Sequence, residues 1–183
     1  MYEKNEGDWT QVGNDIDGEA GGDWSGASVA MSADGTRIAI GAHVNEGNDR
    51  EDAGHVRVYD FDEEAGGWIQ VGSDIDGEAA FDNSGLSVAM SADGTRIVIG
   101  AGGNDGNGLF HIGHVRVYDY AGGDWIQVGN DIDGEAESDN SGSSVAMSAN
   151  GSRIAIGAIN NDGNGRVDSG HVRVYDYAGD DRI

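Results

Sequence analysis

Short apolar runs alternate with glycine-rich and acidic loops along the whole chain, and no stretch of useful length has the period of a helix. The middle of the chain holds four such runs: Trp68–Val71, Leu86–Ser91, Thr95–Ala101 and Gly113–Tyr120. Asp93-Gly94, between the second and third runs, is typical of a two-residue hairpin turn with positive φ. The pattern therefore predicts four short antiparallel strands joined by turns.

The same pattern occurs three times. WTQVG at Trp9–Gly13 returns as WIQVG at Trp68–Gly72 and at Trp125–Gly129, so the copies are 59 and 57 residues apart. The motifs SVAMSADGTRI and GHVRVYD follow each copy, with small changes in the third. Four antiparallel strands repeated every ~40–60 residues are typical of a β-propeller blade, and the alternative is a β-solenoid, whose coils are usually shorter. The predicted organisation is an N-terminal extension at 1–8 and repeats at 9–67, 68–124 and 125–183.

The second repeat carries a family resemblance. Ser84–Ala89, Asp93-Gly94, Ile97–Ala101 and Gly113–Tyr118 follow one another in the order of an FG-GAP-type repeat, and the sequence resembles that family over nearly its whole length. Such repeats form the blades of integrin α-subunit propellers and of many extracellular proteins. The resemblance implies an all-β propeller with three four-stranded blades in this chain, and it favours an extracellular or cell-surface location.

The calcium loop of that family does not transfer to this chain. Members often bind calcium between the first two strands with a D-x-D-x-D-G-x-x-D pattern. The corresponding stretch, Met31–Arg37, keeps only Asp34 and Gly35, and the third repeat has Asn150 in place of the aspartate. The Asp-Gly pair is therefore interpreted as a turn.

Three blades cannot close a propeller, because known propellers have about 4–8 blades and each blade packs its faces on its neighbours. We therefore expect two copies of the chain to form a six-bladed homodimeric ring, since closed symmetry is common among soluble oligomers. The strand predicted at Trp9–Val12 precedes the first blade, and the third blade lacks a tryptophan strand of its own. Trp9–Val12 is expected to complete a third blade and to cover its edge.

The chain is strongly acidic, with a net charge of −24 from 34 acidic and 10 basic residues. Such a surface repels nucleic acid and anionic membranes, and it suits multivalent cations, a cationic partner or simply high solubility. The sequence has no cysteine, which excludes disulfides, zinc–thiolate sites and thiol nucleophiles. No apolar run approaches the ~20 residues of a membrane helix, and Met1–Gly7 has no apolar core typical of a signal peptide.

Acidic and amide side chains concentrate in the two longer loops of each repeat, which antiparallel order places at one end of the propeller, the rim. Oxygen-rich clusters suit calcium, although Asp and Asn also cap turns through the backbone. The candidate metal ligands are the loop aspartates Asp15, Asp17, Asp23, Asp74, Asp76, Asp82, Asp131, Asp133 and Asp139. The candidate ligand-binding residues of the rim are Trp24, Asn45, Asn48, Asn104, Asp105, Asn107, Asn161, Asp162 and Asn164.

Recurrence in every repeat argues for structural rather than catalytic roles. His55, His114 and His171 are interpreted as structural for this reason, and the aligned arginines at 37, 96 and 153 are expected to pair with carboxylates. No asymmetric group of acid, base and nucleophile is visible. The sequence therefore predicts a non-enzymatic binding or adhesion module for an extracellular protein or glycan, with calcium as its candidate cofactor. The alternatives are a purely structural self-assembling protein and a glycan-binding lectin.

Overall fold

The computed structural model describes residues 7–46 and 49–179, and its regular structure is almost entirely strand. The strands are β1 (Ser28–Met31), β2 (Arg37–Ala42), β3 (His55–Asp62), β4 (Gly67–Gln70), β5 (Ile75–Asp76), β6 (Ser84–Met90), β7 (Arg96–Ala101), β8 (His114–Ala121), β9 (Asp124–Gln127), β10 (Ile132–Asp133), β11 (Ser141–Met147), β12 (Arg153–Ala158) and β13 (His171–Asp176). Short 3-10 turns lie at Gly106–Gly108 and Gly163–Gly165. The predicted all-β class is confirmed. No helix of the described residues is long and apolar enough to cross a membrane.

The strands form three antiparallel sheets in which neighbours along the chain are neighbours in space. Sheet 1 has the order β1-β2-β3-β4, and the short β5 pairs with the start of β3. Sheet 2 repeats this arrangement, with β6, β7 and β8 followed by β9 and β10, which both pair with β8. Sheet 3 contains β11, β12 and β13. The prediction of four strands in every blade was therefore too regular, because two sheets have five strands and the described part of the third has three.

The tryptophan motif closes a sheet rather than opening one. Trp68 lies in β4 and pairs with Phe61 of β3, while Trp125 of β9 pairs with Tyr120 of β8. The sheets are thus offset by one strand from the sequence repeats. The strand predicted at Trp9–Val12 is not formed, since these residues are irregular and no described strand lies beside them to supply main-chain partners.

The core lies between the faces of neighbouring sheets. Val56 and Val58 of sheet 1 belong to one buried cluster with Val88, Ile97 and Ile99 of sheet 2. A second cluster joins sheets 2 and 3 through residues at the aligned positions: Val98, Val115, Ile154 and Ile156. The same alternation therefore supplies two opposed apolar faces on each sheet, which is why the sheets stack in series.

Glycine permits the closest approach between sheets. A Cβ atom on Gly41 of β2 would collide with the main-chain oxygen of Gly85, and one on Gly100 of β7 would collide with that of Gly142. Beside these contacts, the Ser28 hydroxyl donates to the Gly85 carbonyl at 2.7 Å, and Ser87 donates to Gly142 at 2.8 Å. A close glycine contact and a serine hydrogen bond thus recur at each interface.

An arginine spans each interface at the opposite end of the strands. Arg37 binds Asp60 of its own sheet through Nε and Nη2 at 2.6 and 2.7 Å, and its Nη1 donates to the Gly94 carbonyl of sheet 2 at 3.0 Å. The guanidinium also lies 4.5 Å from the centroid of the Tyr120 ring. Arg96 repeats all of these contacts against sheet 3, and Arg153 pairs with Asp176. The predicted pairing of these arginines with carboxylates is confirmed.

The Asp-Gly hairpin has a longer loop than the sequence predicted. Gly94 has a positive φ of 69°, and the Ser91 amide donates to the Arg96 carbonyl, so that four residues lie in the loop. The Asp93 carboxylate accepts hydrogen bonds from Ser91 Oγ at 2.6 Å and from the Thr95 amide and hydroxyl at 3.1 and 2.9 Å. These bonds, with that from the Ser91 hydroxyl as the largest cause, lower the pKa of Asp93. These side-chain hydrogen bonds hold the loop in place, so that no second residue with positive φ is needed beside Gly94.

The third repeat supplies a natural control for this turn, because Asn150 accepts the same three bonds through Oδ1. We expect Asp93→Ala to lower the free energy of unfolding by about 1 kcal/mol at pH 7, and Asp93→Asn to lower it by less. Since the folded pKa of Asp93 is depressed, its contribution is present above the ordinary Asp pKa and is lost as pH falls below it. Urea unfolding at pH 7 and pH 3 tests this: the difference between wild type and Asp93→Asn should shrink in acid. Equal losses in the two variants at pH 7 would contradict this role.

Candidate functional site

The loops before the first strand of each sheet meet the long β2–β3 and β7–β8 loops at one end of the stack. In sheet 1 they enclose a cavity of about 550 Å³, the sheet 1 cavity. Its lining includes Glu19 and Asp23 from the first loop, Asn45 from the second, and His55 at the start of β3. Asp74 and Asp76, which follow β4, complete the acidic wall.

Among residues 7–46 and 49–179, two groups of three side chains have the spacing of metal ligands. Cluster 1 consists of Glu19, His55 and Asp74, and cluster 2 of the aligned residues Glu78, His114 and Asp131. In each cluster one ligand atom from every residue lies within 4.8 Å of the other two. The histidine is buried in both, whereas the glutamate is exposed.

Short strand pairing brings the histidine and the aspartate together. His55 pairs in register with Asp76 of β5, and His114 pairs with Asp133 of β10. Each pairing anchors the D-I-D segment beside the histidine, so that the first aspartate of the segment reaches the cluster. Residues that are far apart in the chain are thereby placed on one side of a rigid sheet edge.

In cluster 2 an arginine already occupies the place of a cation. Arg116 Nε and Nη2 each lie 2.9 Å from one oxygen of Asp131, and the guanidinium also pairs with Glu78. Burial opposes the charge of Arg116, but hydrogen bonds to Asp131 and Glu78 outweigh it and raise the pKa of Arg116. The hydrogen bonds from Arg116 lower the pKa of Asp131. Burial, and after it the positive charge of Arg116, lowers the pKa of His114. Cluster 2 is therefore a closed ion-pair network with a neutral histidine at pH 7.

Cluster 1 has the same residue types but a different pairing. Arg57 Nη2 donates to the main-chain oxygen of Asp17 at 2.9 Å, and its Nη1 lies 3.6 Å from Glu19. The Asp74 carboxylate instead accepts a hydrogen bond from Gln70 Nε2 at 2.6 Å. Arg57 therefore does not form with Asp74 the bidentate pair that Arg116 forms with Asp131. His55 Nδ1 lies 3.8 Å from Glu19, at the floor of the cavity.

Cluster 3 is incomplete in the described residues. His171 Nδ1 and Arg173 Nη1 both lie 3.6 Å from Glu135, and Arg173 Nη2 donates to the Asp133 carbonyl at 2.7 Å. Within residues 7–46 and 49–179, His171 Nε2 and Arg173 Nε are buried without a hydrogen-bond partner. No described aspartate occupies the position that Asp131 has in cluster 2.

Six of the residues predicted to bind metal or ligand have internal partners instead. Asp82 is buried and accepts hydrogen bonds from the amides of Glu78 and Ala79 at 3.0 and 2.9 Å and from Asn104 Nδ2 at 3.0 Å. The same bond joins Asp23 to Asn45 and Asp139 to Asn161. Each pair, which we term the loop clasp, ties the two long loops together and positions the glutamate of its cluster. Turn capping was the alternative that the sequence offered for these residues, whereas the pairing of the two loops was not predicted.

The remaining predicted metal ligands divide into two kinds. Asp15, Asp74 and Asp131 each accept a hydrogen bond from the glutamine four residues earlier, at 2.8, 2.6 and 2.7 Å. Asp76 and Asp133 lie in the short strands, and Asp17 contributes its main-chain oxygen to Arg57. The three predicted aspartates of a repeat therefore do not converge on one point.

The other predicted rim residues lie on the outer loops, and their ligand binding stays a prediction. Trp24 is 66% exposed and meets His43 edge-on at 5.6 Å, and burial lowers the pKa of that histidine. Asp105 and Asp162 accept hydrogen bonds from backbone amides within their own loops. Asn164 has a positive φ of 57°, Asn107 lies in the turn Gly106–Gly108, and Asn48 lies outside the described residues.

The histidine and glutamate of the clusters were missed as candidate ligands because recurrence alone indicated a structural role. A usable signal was present, since GHVR and D-I-D-G-E recur together in all three repeats. Strand order alone did not show that the histidine of one motif faces the aspartate that follows the next tryptophan.

Comparison with known proteins adds a likeness of fold. No family model matches the chain, and no curated protein matches it. A periplasmic gluconolactonase of Pseudomonas aeruginosa is a similar solved structure, with a TM-score of 0.49 and 15% identity over 84% of this chain and 39% of that one. A protein of Bacteroides uniformis assigned as a 6-phosphogluconolactonase has a TM-score of 0.46 and 16% identity, over 76% and 38% of the two chains.

The hydrazine synthase of Kuenenia stuttgartiensis is also similar, with a TM-score of 0.44 and 17% identity over 83% of this chain and 45% of that one. The chain thus spans about four tenths of the length of these proteins. Similarity at this level concerns the fold and identifies no activity. The FG-GAP resemblance is not tested by these structures and stays a prediction.

The similar solved structures are named as lactonases and as a hydrazine synthase, so none of them supports the sequence-based prediction of a non-enzymatic binding or adhesion module. Nothing in them supports an integrin-like role or calcium binding. Recurrence was the argument for a structural role, but the contacts of the repeated residues differ between clusters 1 and 2.

The loop clasp gives a stability prediction. Asp82→Ala leaves two backbone amides and the Asn104 amide without their acceptor in a buried site, so we expect a loss of about 3 kcal/mol in the free energy of unfolding. Asp74→Ala, which removes a mostly exposed carboxylate, should cost under about 1 kcal/mol. Urea unfolding of both variants at pH 7 makes the comparison. Similar losses would show that the clasp does not hold the loops.

Proposed function

We propose that cluster 1 binds a divalent cation and that the sheet 1 cavity is the active site of a metal-dependent hydrolase acting on a sugar lactone or a similar polyhydroxylated ester. The observation that supports this proposal best is the contrast between clusters 1 and 2. Both have the same three ligand types, but Arg116 forms a bidentate pair with Asp131, and Arg57 forms no such pair with Asp74.

The ligand set suits a transition metal better than calcium. Cluster 1 offers one imidazole nitrogen and two carboxylates, whereas calcium takes oxygen ligands almost exclusively. Imidazole with carboxylates fits Mn²⁺, Fe²⁺ or Zn²⁺, and three protein ligands leave positions open for water or substrate. Calcium, which the sequence suggested, remains a comparison ion for the test.

The local charge also favours a cation. Arg57 pairs with Glu19, while the carboxylates of Asp74, Asp76, Glu46 and Asp52 line the same cavity. The whole chain carries −24 charges, so its field concentrates cations at such a concave acidic surface. A divalent ion therefore meets a site that remains negative after the arginine is counted.

The cavity has room for a small polar substrate next to the metal. Its volume of about 550 Å³ lies in the usual range for small-molecule pockets. Carboxylates and the backbone of the Glu19–Asp23 loop line it, and these groups accept hydrogen bonds from the hydroxyls of a sugar-derived compound. A bound divalent cation polarises an ester carbonyl and lowers the pKa of its water.

The remaining side chains supply proton transfer. Glu46 and Asp52, which also line the cavity, can accept the proton of the attacking water, because a carboxylate acts as a general base when it lies within reach. Water adds to the carbonyl carbon, the ring C–O bond breaks, and the proton passes to the released alkoxide. The product is an open-chain hydroxy acid, with no further reactant required.

Manganese binding and lactone hydrolysis test the proposal together. Wild-type protein should bind one Mn²⁺ per chain at cluster 1, measured by calorimetry and by the loss of the free-ion spin-resonance signal. His55→Gln should weaken binding at least about tenfold. The matched variant His114→Gln changes the aligned residue of cluster 2 and should leave binding unchanged.

With Mn²⁺ present, glucono-δ-lactone hydrolysis followed by acid release should exceed the buffer rate, and Asp74→Asn should abolish the excess. Circular dichroism of each variant separates loss of ligands from loss of fold. Equal weakening by His55→Gln and His114→Gln would remove cluster 1 as the site. Binding at cluster 1 without lactone hydrolysis would retain the metal and reject the hydrolase.

A further inference from the structure

We infer that a second copy of this chain docks head to tail on the free face of sheet 3, and that its Trp9–Asp15 segment completes cluster 3. The inference is independent of the proposed metal site, because it rests on the two sheet interfaces within the chain. Those interfaces act as a template, because each packs one face of a sheet against the opposite face of the following sheet, through aligned residues in both cases.

The free face of sheet 3 has the residues that are buried in sheets 1 and 2. Val172 and Val174 of β13 are 67% and 61% exposed. The aligned residues are Val56 and Val58 in sheet 1 and Val115 in sheet 2, and all three are buried in the sheet interfaces. The tail face of the chain, defined by β11, β12 and β13 on this side, therefore lacks only the neighbouring sheet.

Sheet 1 offers the complementary surface at the other end of the stack. Val29 and Met31 of β1 are exposed. Their counterparts Val88 and Met90 in sheet 2 pack in the first core cluster, and Val145 in sheet 3 packs in the second. This head face, formed by β1 and β2, has the sequence of the two surfaces that accept a tail face inside the chain.

The polar contacts of the template are also in place. Ser144 aligns with Ser28 and Ser87, which donate across the two internal interfaces. Gly157 aligns with Gly41 and Gly100. A Cβ atom on Gly157 would meet only atoms of Ser144, which belongs to the same sheet. The acceptor that fits Ser144 is the Gly26 carbonyl of the second copy, since Gly26 aligns with Gly85 and shares its positive φ.

Arg153 shows the same missing neighbour. The side chains of Arg37 and Arg96 are 13% and 16% exposed because each lies against the following sheet, whereas that of Arg153 is 62% exposed. All three keep their aspartate partner. The head face supplies what Arg153 lacks, namely the Gly35 carbonyl, aligned with Gly94, and the ring of Phe61, aligned with Tyr120.

The N-terminal segment is already held in the position of an outer strand. Trp68 Nε1 donates to the Val12 carbonyl at 3.1 Å, as Trp125 Nε1 donates to the Val71 carbonyl at 3.1 Å. Val71 itself follows the outer strand of sheet 1. Val12 therefore lies where the outer strand of a preceding sheet would end, and that sheet is the sheet 3 of another copy.

Docking of that segment supplies the aspartate that cluster 3 lacks. Asp15 accepts from Gln11 at 2.8 Å, the same local arrangement in which Asp131 accepts from Gln127 at 2.7 Å. Asp131 receives Arg116 Nε, whereas Arg173 Nε is buried without a partner in the described chain. The Asp15 carboxylate of the second copy fits this donor.

A head-to-tail contact is heterologous, so it either closes into a ring or continues as a filament. Two copies bring six sheets together, a number within the ~4–8 sheets of closed propellers. Light scattering of the wild-type chain should therefore give twice the 19.0 kDa mass. A monomer would overturn the inference, and a filament would overturn the closed two-copy ring.

Complementation distinguishes this arrangement from a face-to-face dimer. Val174→Lys alters only the tail face and Val29→Asp only the head face, so each variant alone should be monomeric. An equimolar mixture should form a dimer, because it retains one unaltered interface and places Lys opposite Asp at the other. The control Ile126→Lys changes a similarly exposed residue of the outer strand β9 and should remain dimeric. A dimer of Val29→Asp alone would overturn the head-to-tail contact.

The cluster has its own test. Asp15→Ala should raise the dissociation constant of the dimer by about tenfold or more, because Arg173 loses a charge-assisted hydrogen bond. Asp8→Ala removes an equally exposed charge from the same segment and should change it little. Analytical ultracentrifugation of both variants measures the constants. An unchanged constant for Asp15→Ala would overturn completion of cluster 3.

Discussion

The close approach of neighbouring sheets at glycine is the constraint on which the rest of this structure depends. Where Gly41 faces Gly85 and Gly100 faces Gly142, the absence of a Cβ atom lets main chain touch main chain. Apolar side chains on both sides then interdigitate, and serine and arginine hydrogen bonds fix the registration. A side chain at either glycine position would separate the sheets and open the core along its whole length.

That stacking determines what can happen at the end of the sheets. Because the loops at this end are tied by buried Asp–Asn pairs, they hold their glutamates and aspartates against the first residues of β3 and β8. The same repeat then yields two electrostatic outcomes. In cluster 2 the arginine neutralises the carboxylates, while in cluster 1 a different guanidinium orientation leaves a carboxylate pair facing a cavity.

Repetition and function are related through such differences. A motif that is copied three times has the same local geometry in every copy, so its recurrence indicates a structural role. The neighbours of the copies are not identical, however, because the first and last sheets each lack one partner sheet in the described chain. The bidentate arginine–aspartate pair accordingly lies in the middle sheet, whereas Arg57 and Arg173 of the outer sheets each donate to a main-chain carbonyl.

The amino-acid sequence alone determined the repeat, the strand positions, the all-β class and the pairing of the three recurring arginines with carboxylates, because alternation, turn residues and spacing are local properties. Only the tertiary structure decided that Trp9–Val12 forms no strand by itself and that the short strands β5 and β10 pair with the starts of β3 and β8. It also decided that Asp23, Asp82 and Asp139 are buried clasps and that His55 and His114 face carboxylates. These features join residues from separate loops, and their positions follow from how whole sheets stack, which no local pattern contains.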